Sequence, residues 1–167
     1  MIEIRKLDSN NAKAVAELHH FAFKDFFLTS LGKSFLSAFY KAIMVHPDGV
    51  AICLYNNSQL LGFAVGTKKS EGFYTSLLYR NWFKLGWAAL PSLMANPLKI
   101  KRLFLSFTST KNANHKHLSS LLSICVTPDN ESKGLGSMLL QEFEQELLNN
   151  NLNELLLTTN THDNNNA

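Results

Sequence analysis

Apolar and polar residues alternate from Met1 to Lys6, which predicts a first strand. From Asn10 to Phe23 and from Ser30 to Val45 the apolar positions recur at helical spacing, which predicts two helices with one buried face each. Val50 to Tyr55 and Leu60 to Lys68 are apolar, β-prone runs separated by Asn56-Asn57-Ser58-Gln59, the composition of a hairpin. Phe73 to Trp87 is aromatic and helical in pattern. Pro91 suits the first turn of a second helix, Pro91 to Ala95, and Pro97 that of a third, Pro97 to Phe107. Thr108 to Lys116 is polar and predicts a loop. Leu121 to Val126 is an apolar run stopped by Thr127-Pro128, because proline cannot donate to a strand ladder. Leu135, Met138, Leu139, Phe143 and Leu147 then mark one stripe of a helix whose other face carries Gln141, Glu142, Glu144, Gln145 and Glu146. Asn149-Asn150-Asn151 reads as a turn, Glu154 to Thr159 as a further strand, and Asn164-Asn165-Asn166 as a helix start.

The order of these elements predicts an α/β fold. A chain of 167 residues, 46% of them hydrophobic, is enough for one domain, 1–167, with a proper core. Cys53 and Cys125 both fall inside predicted strands and read as buried thiols rather than a disulfide, which suits a reducing cytoplasm. Zinc would need more Cys or His at close spacing, so no metal is expected. His19 and His20 are adjacent on a helix and face different directions, as surface and partial-core residues. The net charge of +3 gives no reason to expect a nucleic-acid partner. No signal peptide and no apolar run of membrane-spanning length are visible in the sequence.

The chemistry concentrates where the apolar strand meets the glycine-rich helix entry, Glu131-Ser132-Lys133-Gly134-Leu135-Gly136-Ser137. A helix start presents unpaired N–H groups and the positive end of its dipole, which together suit a phosphate. Gly134 and Gly136 lack a Cβ, so an anion can approach the main chain there. The N–H groups of about Lys133 to Ser137 would point at it, Lys133 adding charge and Ser137 a hydroxyl donor. A G-x-G alone also fits a structural turn. The P-loop pattern is absent, and the dinucleotide pattern fails because its third glycine position is Leu139.

The run V-x-P-x-x-x-x-x-G-x-G-S, Val126 to Ser137, resembles the GNAT superfamily of acyl-CoA-dependent N-acyltransferases. Its signature Q/R-x-x-G-x-G/A corresponds to Glu131 through Gly136, with Glu131 departing from the usual Gln or Arg. The resemblance extends along nearly the whole chain except about residues 70–117, and Asn164 to Ala167 resembles the family's N-x-x-A. It implies a mixed, mostly antiparallel central sheet flanked by helices, here with a helical insertion at about 70–117 and an incomplete C-terminal part. It implies acetyl-CoA as acyl donor and a primary amine, on a small molecule or a peptide, as acceptor. The implied cofactor-binding residues are Cys125, Val126, Lys133, Gly134, Leu135, Gly136, Ser137 and Asn164. A main-chain N–H at Cys125 or Val126 would meet the thioester oxygen, with the pantetheine arm lying between this strand and Glu154 to Thr159.

The amine must be neutral to attack, so the reaction needs a base, and the thiolate leaving group needs an acid. No Asp or Glu lies between His117 and Pro128, and Ser123 is the polar side chain inside the apolar run. Asp25 or a water remains as a candidate base. The family's acid, a tyrosine after N-x-x-A, would fall beyond Ala167, so the catalytic residues stay unassigned. The alternative is a non-catalytic acyl-CoA-binding or partner-binding module. The aromatic segment from Glu71 to His117, with Arg80, Lys84, Lys99, Lys101 and Arg102 interspersed, fits a helical cover packed on the sheet. Its other readings are an acceptor-binding or membrane-surface element through 71–107 and a homodimer interface.

Overall fold

The computed structural model describes residues 2–96 and 117–157. In chain order the elements are β1 (Ile2–Lys6), α1 (Ala12–Ala22), α2 (Lys33–Met44), β2 (Gly49–Asn56), β3 (Gln59–Thr67), α3 (Phe73–Ala95), β4 (Ser119–Val126), α4 (Leu135–Leu148) and β5 (Leu155–Leu157). Short 3-10 turns precede α1, α2 and α4 at Ser9–Asn11, Thr29–Leu31 and Pro128–Asn130. The strands form one sheet in the order β1-β2-β3-β4-β5, antiparallel except for the β4–β5 pair.

Two apolar layers sandwich the sheet. On one face Val15, Phe35, Leu36, Tyr40 and Ile43 of α1 and α2, with Phe73, Leu77, Leu85 and Ala89 of α3, pack against Cys53, Phe63 and Val65. On the other, Leu135, Leu139, Phe143 and Leu147 of α4 cover Val50, Ile52, Leu54, Leu61 and Ala64. Successive strand residues point to opposite faces, which is why β2 and β3 read as continuous apolar runs. Two glycines let α4 sit this close. A Cβ at Gly66 would lie 2.2 Å from the Ser120 carbonyl oxygen and 2.5 Å from Phe143 Cζ, and one at Gly62 2.8 Å from the Cys125 carbonyl oxygen.

The hairpin forms as expected, with Asn57 taking the left-handed conformation (φ 54°) that asparagine tolerates. β1 forms as expected, at an edge of the sheet beside β2, where Ile2 and Ile4 remain 44% and 41% exposed. One expectation needs correction. Pro91 does not open a new helix but lies inside α3, which runs unbroken from Phe73 to Ala95. Its missing N–H costs one helical hydrogen bond on an exposed turn, while Leu85 and Ala89 hold the same helix on the core. The helix and loop expected over 97–116 lie outside the described residues.

Candidate functional site

Pro128 closes β4, and Thr127 makes the last ladder bond, its N–H donating to the Leu61 carbonyl at 2.7 Å. A tight turn follows: Asn130 N–H donates to the Thr127 carbonyl at 2.9 Å and the Asn130 amide to Thr127 Oγ1 at 2.8 Å. Ser132 (φ 60°) and Gly134 (φ 76°) then take left-handed conformations, and Gly134 caps α4 without a side-chain hydrogen bond. The first helical bond runs from Met138 N–H to the Gly134 carbonyl. Among the described residues, the main-chain N–H groups from Ser132 to Ser137 find no acceptor, which leaves a run of donors at the positive end of a helix of 14 residues.

The expected residues divide by what they can contribute. Gly136 leaves room for an approaching anion, since a Cβ built there would meet no atom of the described residues within 4 Å outside its own stretch of helix. Ser137 is exposed beside it, whereas the Leu135 side chain is buried in the α4 core, leaving its N–H as its polar contribution. The Lys133 ammonium donates to the Asp129 carbonyl at 2.7 Å and to Asn130 Oδ1 at 3.1 Å, within the turn before α4. Glu131 is exposed. Asn164 lies outside the described residues.

The edge of β4 supplies the second half of the site. β5 pairs in parallel with Ser119, Ser120 and Leu121 only, and among the described residues no strand flanks β4 from Leu122 to Val126 on that side. This stretch is half-buried. Leu122 is an extra residue in the β3–β4 register, a bulge between the Val65–Ser123 and Gly66–Leu121 pairs. Beyond it the strand alternates. Thr127 N–H points at β3, so Cys125 does as well, and the main-chain groups of Ile124 and Val126 face the unflanked side. Of the two expected N–H donors, Val126 is therefore the one available to a ligand in the gap.

The side chains alternate likewise. Ile124 and Val126 join the α4 layer, while Leu122 and Cys125 pack toward α1 and α2. Burial pushes the Cys125 thiol up to about 12, so it stays neutral and is no thiolate nucleophile at neutral pH. Ser123 shares the Cys125 face and is a side-chain hydrogen-bond partner of Tyr40. The Tyr40 hydroxyl lies 2.6 Å from His19 Nδ1, completing a buried polar chain from α1 through α2 to β4. Tyr40 is 1% and His19 2% exposed. Burial first, and then the neighbouring His20, lowers the His19 pKa to about 4, and its Nε2 is buried without a partner. His19 is thus a core residue, not the surface or partial-core one its neighbour suggested. Sequence reasoning missed this chain, although the lone Ser123 in an apolar run was its visible end. Asp25, the candidate base, is exposed in the α1–α2 connection.

Cys53 and Cys125 are both free thiols. Among the described residues no group of His, Cys, Asp or Glu is arranged to hold a metal ion, and no helix is long and apolar enough to cross a membrane.

The profile of the Acetyltransferase (GNAT) family matches residues 12–167. Comparison with curated proteins by sequence finds no match. Among solved structures, AAC(6')-Iy in complex with the bisubstrate analogue CoA-S-monomethyl-acetylneamine superposes with a TM-score of 0.61 at 10% identity, over 98% of this chain and 82% of that one. The aminoglycoside 6'-N-acetyltransferase AAC(6')-Ih of Acinetobacter baumannii gives 0.59 at 10% identity, over 98% and 82%. A ribosomal-protein-alanine N-acetyltransferase of Brucella melitensis gives 0.55 at 13% identity, over 97% and 82%.

Proposed function

Because the chain belongs to the acetyltransferase (GNAT) family, we propose that it transfers an acetyl group from acetyl-CoA to a primary amine of a small molecule or peptide. The observation that carries this reading is the run of main-chain N–H groups from Ser132 to Ser137 without an acceptor among the described residues, set beside the stretch of β4 from Leu122 to Val126 that no described strand flanks on one side. Gly134, Gly136 and Ser137 would hold the coenzyme's pyrophosphate through main-chain donors, and the open space over Gly136 admits it. Ile124 and Val126 would present strand-type donors and acceptors to the pantetheine arm, and Val126 N–H would donate to the thioester oxygen, a reading supported by the β3–β4 register. When bound, acetyl-CoA supplies an activated acyl carbon; the protein orients it and receives the amine.

The acceptor side is the β4 face that carries Ser123 and Cys125. With Cys125 neutral, transfer goes directly to the amine without an acyl-thiol stage. Ser123, held by Tyr40, is the hydroxyl on this face that can take a hydrogen bond from the amine N–H and aim its lone pair.

The test combines calorimetric titration of acetyl-CoA with thiol release over a panel of amines. The panel starts with aminoglycosides and ribosomal-protein peptides bearing alanine, after the acceptors named for the solved structures above. Gly136→Glu is expected to weaken acetyl-CoA binding by more than tenfold, since the added carboxylate fills the anion's space. Ser123→Ala should lower kcat with coenzyme binding unchanged. Binding without thiol release for any amine would favour the non-catalytic module, and equal binding by parent and Gly136→Glu would remove the loop from the site.

A further inference from the structure

The acetyl-transfer site leaves one large feature unused, the outer face of α3. Leu77, Leu85 and Ala89 bury one side of this helix against the core. The opposite side exposes Tyr79 (83%), Trp82 (70%), Phe83 (64%), Trp87 (71%), Leu90 (46%) and Met94 (78%). These positions follow helical spacing and form a continuous stripe. The rings also touch one another: Trp82 and Phe83 lie 5.8 Å apart by centroid, and Phe83 stacks on Trp87 at 6.3 Å. An apolar stripe of this length facing water marks a surface for a partner.

The helix is held in place at both ends. Phe73 packs edge-on against His46 at 4.8 Å, and Ser92 Oγ donates to the Ser30 carbonyl at 2.7 Å. The stripe is therefore a fixed feature of the molecule's surface.

Charge selects the partner. α3 carries Arg80 and Lys84 in the exposed half and no acidic residue. From Gly72 to Leu118 the sequence contains no Asp or Glu, and five more Lys or Arg lie between Lys99 and Lys116. This segment is net +7 within a chain of net +3, so the remainder is net −4. A second copy meeting the stripe face to face would set like charges against each other. An anionic bilayer offers what this face lacks: negative charge for the cations and an apolar layer for the rings. Tryptophan and tyrosine favour that boundary, and Arg and Lys stems reach from the apolar layer to the headgroups.

We propose that the Tyr79–Met94 face of α3 docks on an anionic lipid surface, with its aromatic and aliphatic side chains in the interface and Arg80 and Lys84 at the headgroups. The proposal is independent of acetyl transfer and stands whether or not the β4–α4 loop binds coenzyme A.

The chain's two tryptophans, Trp82 and Trp87, both lie on this face, so intrinsic fluorescence reports on it alone. The full chain is titrated with vesicles of phosphatidylcholine containing phosphatidylglycerol, and with vesicles of phosphatidylcholine alone. Emission should shift to the blue, and protein should sediment with the vesicles, only in the anionic case, with added salt reversing part of the effect. Arg80→Glu/Lys84→Glu keeps both tryptophans and alters only exposed positions; it should weaken vesicle binding at least about tenfold. Trp82→Ser/Phe83→Ser, read by sedimentation, should weaken it as well. No response to anionic vesicles, or an equal response to both kinds, overturns the proposal. So does blue emission without lipid that grows with protein concentration alongside a dimer in sedimentation velocity, which would make a second copy the occupant. Binding to an RNA homopolymer with no response to vesicles would assign the face to nucleic acid instead.

Discussion

His19 lies in the core, and its imidazole is held neutral there, with a pKa near 4 set mainly by loss of solvent. In the unfolded chain the same group titrates near ~6.5. As pH falls below that value the unfolded state gains a proton that the folded state does not, so the native state loses stability down to about pH 4. The stability linked to His19 is fully present above the unfolded pKa and lost on acidification. By pH 5 it should have fallen by about 2 kcal/mol relative to pH 7. His19→Asn keeps a polar partner for Tyr40 and removes the titration. Urea unfolding at pH 7 and pH 5 should therefore show a pH difference about 2 kcal/mol smaller in the variant than in the parent. Identical differences in the two proteins would place the His19 proton elsewhere. His46, also lowered by burial, contributes in the same direction to both proteins and cancels from the comparison.

At the level of elements, the close seating of α4 on β3 depends on side chains that are not there. Gly66 admits the Phe143 ring, and the nearest obstacle to a Cβ is the Ser120 main-chain oxygen at 2.2 Å, which cannot swing aside as a side chain would. Gly66→Ala should destabilise the fold by about 3 kcal/mol, the upper end of the usual cost of overpacking, seen as a lower urea midpoint with an unchanged slope. A variant as stable as the parent would mean that β3 and β4 separate without cost. The strands, the hairpin, both early helices and the glycine entry of α4 are all legible in the sequence, because each writes its period or its turn residues locally. The demand at Gly62 and Gly66 is not legible, since it arises only once β4 has paired beside β3 and α4 has returned across them. Pro91 misleads for a related reason: its local preference for a helix start is overridden by a core stripe that continues through Leu85 and Ala89. At the candidate site, the bonds from the Lys133 ammonium to the Asp129 carbonyl and the Asn130 amide oxygen of its own turn are likewise not legible in the sequence, since they depend on how the turn folds.

For the whole molecule, the proposed coenzyme site spans two parts of the fold, the entry to α4 and the edge of β4. Among the described residues β5 flanks β4 only as far as Leu121, and the main-chain N–H groups from Ser132 to Ser137 find no acceptor. A ligand engaging both the loop and the strand edge adds contacts that the unfolded chain cannot make, and mass action then stabilises the native state. At acetyl-CoA about 100 times above its Kd the gain is ~2.7 kcal/mol. For a chain of this size each kcal/mol raises Tm by ~2–4 °C, so the melting temperature should climb by roughly 5–10 °C. Gly136→Glu should melt near the parent's temperature without ligand, because its side chain enters open space, and should not respond to acetyl-CoA at the same concentration. Desulfo-coenzyme A lacks the thioester but keeps the pyrophosphate and most of the arm, so most of the shift should persist with it. A shift of equal size in Gly136→Glu would show that the ligand bypasses the α4 entry, and the main-chain donors there would then serve the fold alone.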